Sequence, residues 1–299
     1  MTAALRNGRL AVAAAVASLM APWSAVQAAP STVDDRITLG ANGSSLTGTF
    51  ADGSTLSSGG GGVAAGWLHN FDSDTLFGAA AEYQALSVSH WAFASLNGAI
   101  TRGPGDQRYT FYGEAHEGAG RDGPHAFQYR VEALGMTGTY FHRLSATLED
   151  KQVNVESTHG NLPKLQLAYL WNPRIQTTVG YQHSFGGNLG TKLTTARVDV
   201  YASQMSFLAG GAFGQASPAV IGQALTLGSH DLKEGYVGVI KSFPQLRSEL
   251  TFIVDYQRLS GGQGQQIISV GNTLFIASSV TERWTGTLNY VFHIGHHGT

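Results

Sequence analysis

Residues 283–294 carry the clearest pattern in the chain. Trp284, Gly286, Leu288, Tyr290, Phe292 and Ile294 alternate with Thr285, Thr287, Asn289, Val291 and His293. A period of two places the first set on one face of a β-strand and the second on the other. The alternation recurs between turn signals in fourteen segments, near 35–42, 61–70, 76–86, 91–102, 108–118, 126–141, 144–156, 164–171, 174–185, 191–201, 203–214, 232–243, 247–258 and 283–294. Leu165, Leu167, Tyr169 and Trp171 oppose Lys164 and Gln166. Ile175, Thr177, Val179, Tyr181, His183 and Phe185 oppose Gln176, Thr178, Gln182 and Ser184. Tyr109, Phe111 and Ala115 oppose Arg108, Thr110, Tyr112, Glu114 and His116. Leu250, Phe252, Val254 and Tyr256 oppose Glu249, Thr251, Asp255 and Gln257. Phe127, Tyr129, Val131 and Ala133 oppose Gln128, Arg130 and Glu132.

Charges thus fall on the face away from the aromatic residues. A β-sandwich would bury the apolar faces and turn the charges to water. A transmembrane barrel turns the apolar faces to lipid and encloses the charges. Tyr, Trp and Phe gather at strand ends, as interfacial girdles do, which favours the barrel. An Arg or Lys facing hydrocarbon at mid-depth costs about 2–4 kcal/mol, enough to fix the register with the charged face inward. The predicted fold is therefore all-β: a single transmembrane antiparallel up-and-down β-barrel of about fourteen strands, with twelve or sixteen as the alternatives.

An even strand count puts both termini on one side, expected to be the periplasm. Short connections at 71–75, 103–107, 142–143, 172–173 and 244–246 are assigned to that side. Longer ones at 43–60, 118–125, 157–163, 215–231 and 259–282 are assigned to the outside. Residues 43–60 and 215–231, long and largely uncharged, are the expected plugs of the bore. Ile267 to Ile276 reads either as strand or as a structured loop.

Arg6 and Arg9 precede a short apolar run, Leu10 to Met20, and small residues with Val26 and Ala28 follow. This is the layout of a secretory signal peptide over 1–28, which leaves 29–299 as one barrel domain. No later segment has the roughly 18 continuous apolar residues of a transmembrane helix. The chain has no cysteine, so neither a disulfide framework nor a thiolate metal site is expected. A net charge of -2 offers no basic face for nucleic acid. Charged residues make up only 13%, in keeping with a wall that meets lipid on its outside.

The export signal, the dyad repeat and the aromatic last strand together resemble the Gram-negative outer-membrane β-barrel proteins as a class. The resemblance implies a place in the cell outer membrane and insertion from the periplasm by the barrel assembly machinery. It also implies contact with outer-membrane lipid and lipopolysaccharide. The class serves as diffusion pores, export channels, adhesins or lipid-modifying enzymes. Its members usually end on an aromatic residue; here Phe292 takes that place and a tail, His293 to Thr299, follows it.

Candidate catalytic groups reduce to plainer readings. Ser229, His230 and Asp231 are adjacent, and neighbours on an extended chain point in alternate directions, so they form no relay among themselves. His183 and Ser184 face opposite ways for the same reason. Ser157 and His159 have the two-residue spacing that barrel lipid hydrolases use, with Glu156 or Asn161 nearby, and read as a polar turn. Glu149-Asp150 and His230-Asp231 are nominal partners for an aspartyl-type site and read as rim acids. His293, His296 and His297 read as tail histidines rather than metal ligands. No cofactor and no metal are assigned.

The lumen is the expected site. Its inward candidates are Glu82, Arg108, Glu114, Arg130, Glu132, Glu149, Lys151, Arg174, Arg197, Asp199, Glu249 and Asp255. They line either a polar pore or a salt-bridged, closed interior. The leading reading is a porin-like channel for small solutes. A closed barrel acting through its outer loops is the alternative, and a membrane-embedded lipid hydrolase the third.

Overall fold

The computed structural model describes residues 34–49, 53–72, 74–86, 89–104, 107–122, 125–155, 158–216, 230–260, 266–270, 273–277 and 280–295. The expected signal peptide, residues 217–229 and the last four residues lie outside them. The strands are β1 (Asp34–Thr49), β2 (Thr55–Asn70), β3 (Thr75–Leu86), β4 (Ser89–Arg102), β5 (Gln107–Asp122), β6 (His125–Tyr140), β7 (Leu144–Val155) and β8 (Thr158–Asn172). They continue as β9 (Ile175–His183), β10 (Lys192–Tyr201), β11 (Met205–Ala216), β12 (His230–Phe243), β13 (Ser248–Ser260), β14 (Gln266–Val270), β15 (Thr273–Ala277) and β16 (Val280–Gly295). Fourteen close into one antiparallel barrel, in which β1 pairs with both β2 and β16 and β13 pairs with β16. The remaining two, β14 and β15, form a hairpin of their own.

Each of the fourteen predicted segments is one wall strand, and the aromatic face of β16 lies outward as expected. Trp284, Leu288, Phe292 and Ile294 are exposed, while Thr285 and Thr287 are buried on the inner face. Every wall connection is antiparallel, so the chain goes up and down without a crossover. Both ends of the barrel chain meet at the short-turn end, where Asp34 pairs with Gly295.

The opposite end differs from expectation. Of the expected plug at 43–60, the stretches 43–49 and 55–60 are wall strand, and they lengthen the β1–β2 hairpin. Most of 118–125 and 157–163 is likewise wall strand. Strands such as β1, β5 and β6 reach 16 residues. At a tilt of about 40° such a strand rises roughly 40 Å. The apolar band of such barrels is only about 25 Å tall, so the strand ends project beyond it.

The apolar band is read directly from the outer face. Phe77, Leu96, Phe111, Leu134, Leu148, Leu167, Val179, Val198, Phe207, Val237, Phe252 and Leu288 are all exposed there. Aromatic residues gather towards the short-turn end, with Tyr169 against Trp171 at 4.9 Å and Tyr290 against Phe292 at 4.4 Å between ring centroids. Trp67 donates its indole N–H to Asp35 at 2.9 Å, satisfying the polar end of an otherwise apolar ring. In the turn after β2, the Asp72 carboxylate accepts the Asp74 N–H at 2.7 Å, which holds its pKa below the usual carboxylate value.

Above that band the sense of the strands reverses. On β6, Phe127, Val131 and Ala133 point inward and are buried, whereas Arg130 and Glu132 point outward and are 61% and 42% exposed. Leu134, two residues beyond Glu132 on the same face, is 74% exposed. No bulge intervenes, since β6 keeps one register with β5 throughout. The same happens on β7, where Val153 and Val155 are buried inward while Leu144 and Leu148 face out. Trp91 on β4, Leu162 on β8, Leu193 on β10, Leu232 on β12 and Leu259 on β13 repeat it. At that level the outside meets water, so an outward Arg costs little and the interior becomes the place to bury apolar surface.

Candidate functional site

Three tiers of side chains line the lumen. The tier at the long-loop end is apolar and comes as two clusters. Leu193, Ala212, Ala216, Leu232 and Leu259 form one, on β10 to β13. Val131, Val153, Val155 and Leu189 form the other, with Tyr129 packed against it. Phe93 lies beside Tyr129, with 6.2 Å between ring centroids.

The middle tier is ionic, and strand register assembles it. On β5, β7 and β8, Lys151 Nζ lies 3.2 Å from Glu114 Oε1 and 3.5 Å from Glu149 Oε1. Lys164 Nζ reaches the same Glu149 oxygen at 3.4 Å, and the Tyr112 hydroxyl donates to Glu149 Oε2 at 2.7 Å. His116 Nε2 stands 3.5 Å from Glu114. Each acid therefore meets more than one cation or donor, which is how buried carboxylates repay their desolvation. On β10, two strands along the wall from β8 and nearer the short turns, Arg197 donates from Nε to Asp199 Oδ1 at 2.8 Å. Arg283 Nη2 lies 3.9 Å from Asp255 Oδ2, beside Gln257. On β3, Gln84 donates to Glu82, and both are buried. Gly62 opposes Gln84 on β2, and a Cβ there would overlap the Gln84 amide. Glycine leaves the space this large polar side chain fills.

The tier nearest the short turns carries small hydroxyls. Thr101 and Thr110 approach at 3.0 Å between oxygens, Thr137 and Thr147 at 2.8 Å, and Thr139 and Ser145 at 3.1 Å.

The sequence candidates sort by tier. Glu82, Glu114, Glu149, Lys151 and Asp255 lie on inner faces in the middle tier, and Arg197 with Asp199 lies inward on β10 nearer the short turns. Arg108 and Glu249 lie inward near the short-turn end, where Arg108 reaches Asp74 at 2.7 Å and Glu249 accepts from Ser242 at 3.3 Å. Arg130 and Glu132 do not line the lumen; they pair with each other on the outer surface. Phe127, Tyr129, Val131 and Ala133, expected on lipid, line it instead. Arg174 also misses the lumen: it is exposed in the turn between β8 and β9.

Lys164, Tyr112, His116, Glu234 and Arg283 join the lining without having been singled out. Tyr112 and His116 share the inward phase of Arg108 and Glu114 on β5, Lys164 shares that of Gln166, and Arg283 shares that of Thr285. Glu234 follows Lys233 directly, and adjacent opposite charges give no hint of which one points in.

The catalytic candidates stay apart. The Ser184 hydroxyl accepts the Thr191 N–H at 2.7 Å and faces the Thr191 carbonyl at 3.2 Å, so it is held in a turn. His159 and Asp231 are exposed on the outer face. Ser157, Ser229, His296 and His297 lie outside the described residues. Among the described residues no three His, Asp or Glu side chains converge as metal ligands.

No protein-family model and no curated protein sequence matches the chain. Solved structures do. The Pseudomonas putida toluene transporter TodX is 10% identical, covers 94% of this chain and 95% of its own, and gives a TM-score of 0.53. A Pseudomonas aeruginosa FadL homologue is 8% identical over 87% of this chain and 90% of its own, with a TM-score of 0.51. The monoaromatic hydrocarbon channel CymD is 8% identical over 87% and 89%, with a TM-score of 0.52. At these identities the likeness is one of fold, that of outer-membrane barrels.

Proposed function

We propose that the chain is an outer-membrane channel for small solutes, with short turns and termini in the periplasm and the projecting strand ends outside. One observation carries the reading: the inner face is apolar at the long-loop end and becomes ionic and hydroxyl-lined towards the short turns. A small, weakly polar solute would find apolar contacts at the outer mouth and a hydrated wall below. The cargo named for the neighbouring structures, toluene and monoaromatic hydrocarbons, is of that size and character. Purified protein in planar bilayers should give stable unit conductance, and vesicles carrying it should take up toluene faster than bare ones. Folded protein that does neither would refute the channel.

The alternative, a closed barrel acting through its loops, draws on the tight packing of inner side chains such as Gln84, Gln257, Leu232 and Leu259. The same conductance measurement separates the two. Export by a signal peptide cut after Ala28, delivery to the assembly machinery and a lipopolysaccharide surround belong to this proposal. N-terminal sequencing of membrane-extracted protein should read Ala29 first. The neighbours are transport proteins, which fits a chain that is no enzyme.

A further inference from the structure

Leu189 is only 1% exposed although it belongs to the connection between β9 and β10. Its packing partners are not on those strands. It shares a cluster with Val131, Val153 and Val155, inward residues of β6 and β7, and flanks Gly160 on β8. To reach them the connection crosses the inside of β8 at the mouth of the bore.

The connection is built to stay there. Asn161 and Phe185 exchange backbone hydrogen bonds at 3.1 and 2.9 Å. Asn188 donates its N–H to the His159 carbonyl at 2.9 Å, and its side-chain oxygen accepts the His159 N–H at 2.9 Å. Gly186, Gly187 and Gly190 adopt φ of 65°, 69° and 56°, a region that side chains other than glycine's enter only with strain. A Cβ on Gly187 would overlap the His159 carbonyl. The glycines let the loop turn inward, and the hydrogen bonds fix it against β8.

From this geometry we infer that the β9–β10 connection is the specificity-determining constriction of the outer mouth, held inward over β8 by Leu189 as its buried apolar anchor. The inference rests on the channel reading and names the residue that holds the mouth narrow. A mobile lid would lack the paired hydrogen bonds, and a plain surface turn would leave Leu189 in water.

The test uses the full chain refolded in lipid, with heat-modifiable gel mobility as the check on folding. Leu189→Ala should free the connection from β6 and β7 and raise unit conductance about twofold. Leu189→Met, close in volume, should restore the wild-type value. The cysteine-free chain permits a second readout. A Val153→Cys thiol should resist a membrane-impermeant maleimide with Leu189 present and react when Val153→Cys is combined with Leu189→Ala. A conducting wild type with unaltered conductance in Leu189→Ala overturns the inference alone. Silence from both folded proteins overturns the channel reading and the inference together. Conductance from Leu189→Ala alone supports the connection as the obstruction.

Discussion

Arg130 and Leu134 lie on one face of β6, four residues apart, and the level of the membrane boundary decides what each is worth. Were Arg130 in hydrocarbon, Arg130→Leu would stabilise the barrel by about 2–4 kcal/mol. Placed in water beside Glu132, it forms a surface ion pair worth about 0–1 kcal/mol, so its loss should be nearly neutral. Leu134 sits just inside the boundary, and a charge placed further into the band, in Phe111→Arg on β5 opposite Met136, should cost about 2 kcal/mol, roughly a 30-fold fall in the folding equilibrium constant. Reversible urea unfolding in phospholipid vesicles, followed by Trp fluorescence, measures both. A gain of 2 kcal/mol or more in Arg130→Leu, or a neutral Phe111→Arg, would show that the boundary does not run where the apolar face of β6 changes sides.

Three further substitutions probe other parts of the wall. Glu149→Ala strips Lys151, Lys164 and Tyr112 of a shared partner and should cost about 3 kcal/mol by the same assay, with Glu149→Gln recovering part of it. Leu232→Ala, at an almost fully buried position in the apolar tier, should cost about 2–5 kcal/mol; a loss below 1 kcal/mol would mean that this tier is open to water. His142 sits at φ 56° beside Phe141 at φ 53° in the turn from β6 to β7. His142→Gly should raise the unfolding midpoint, by about 0.5–1 kcal/mol of stability, and no gain would mean that the turn is unstrained.

Strand number was legible because alternation and turn residues are local signals. Orientation was legible wherever a stretch of strand lies against lipid: Leu165, Leu167, Tyr169 and Trp171 are exposed as their spacing requires. The outer part of β6 was not. Phe127 to Glu132 alternates as cleanly as Trp284 to Ile294, and the alternation does not reveal which solvent lies outside. The clue was that Leu134 and Met136 share the phase of Arg130 and Glu132, a switch of apolar face inside one unbroken strand. The constriction left a fainter trace, since the glycines around Asn188 and Leu189 read as an ordinary turn. Nothing nearby in sequence identifies Val153 and Val155 as partners of Leu189.

The switch follows from a condition that each level of the barrel must meet. Its wall separates two media and has one apolar face to hide. Where hydrocarbon surrounds the wall, Leu134 and Leu148 go outward and Glu149 and Lys151 are enclosed. Where water surrounds it, Arg130 goes outward and Val131 and Val153 are enclosed. Between Ala133 and Leu134 on β6 the apolar face passes from inside to outside, and at the matching rows of β5 and β7 the ionic tier begins, with Glu114 pairing with Ala133 and Lys151 with Ala133. The ionic tier therefore sits at the boundary, where Glu149 and Lys151 are enclosed and Asp150 between them, opposite Leu134, is the charge left on the outer face. The lumen's chemistry is in this sense set by the membrane outside it, and moving the boundary by one row would require exchanging inner and outer residues on every strand at once.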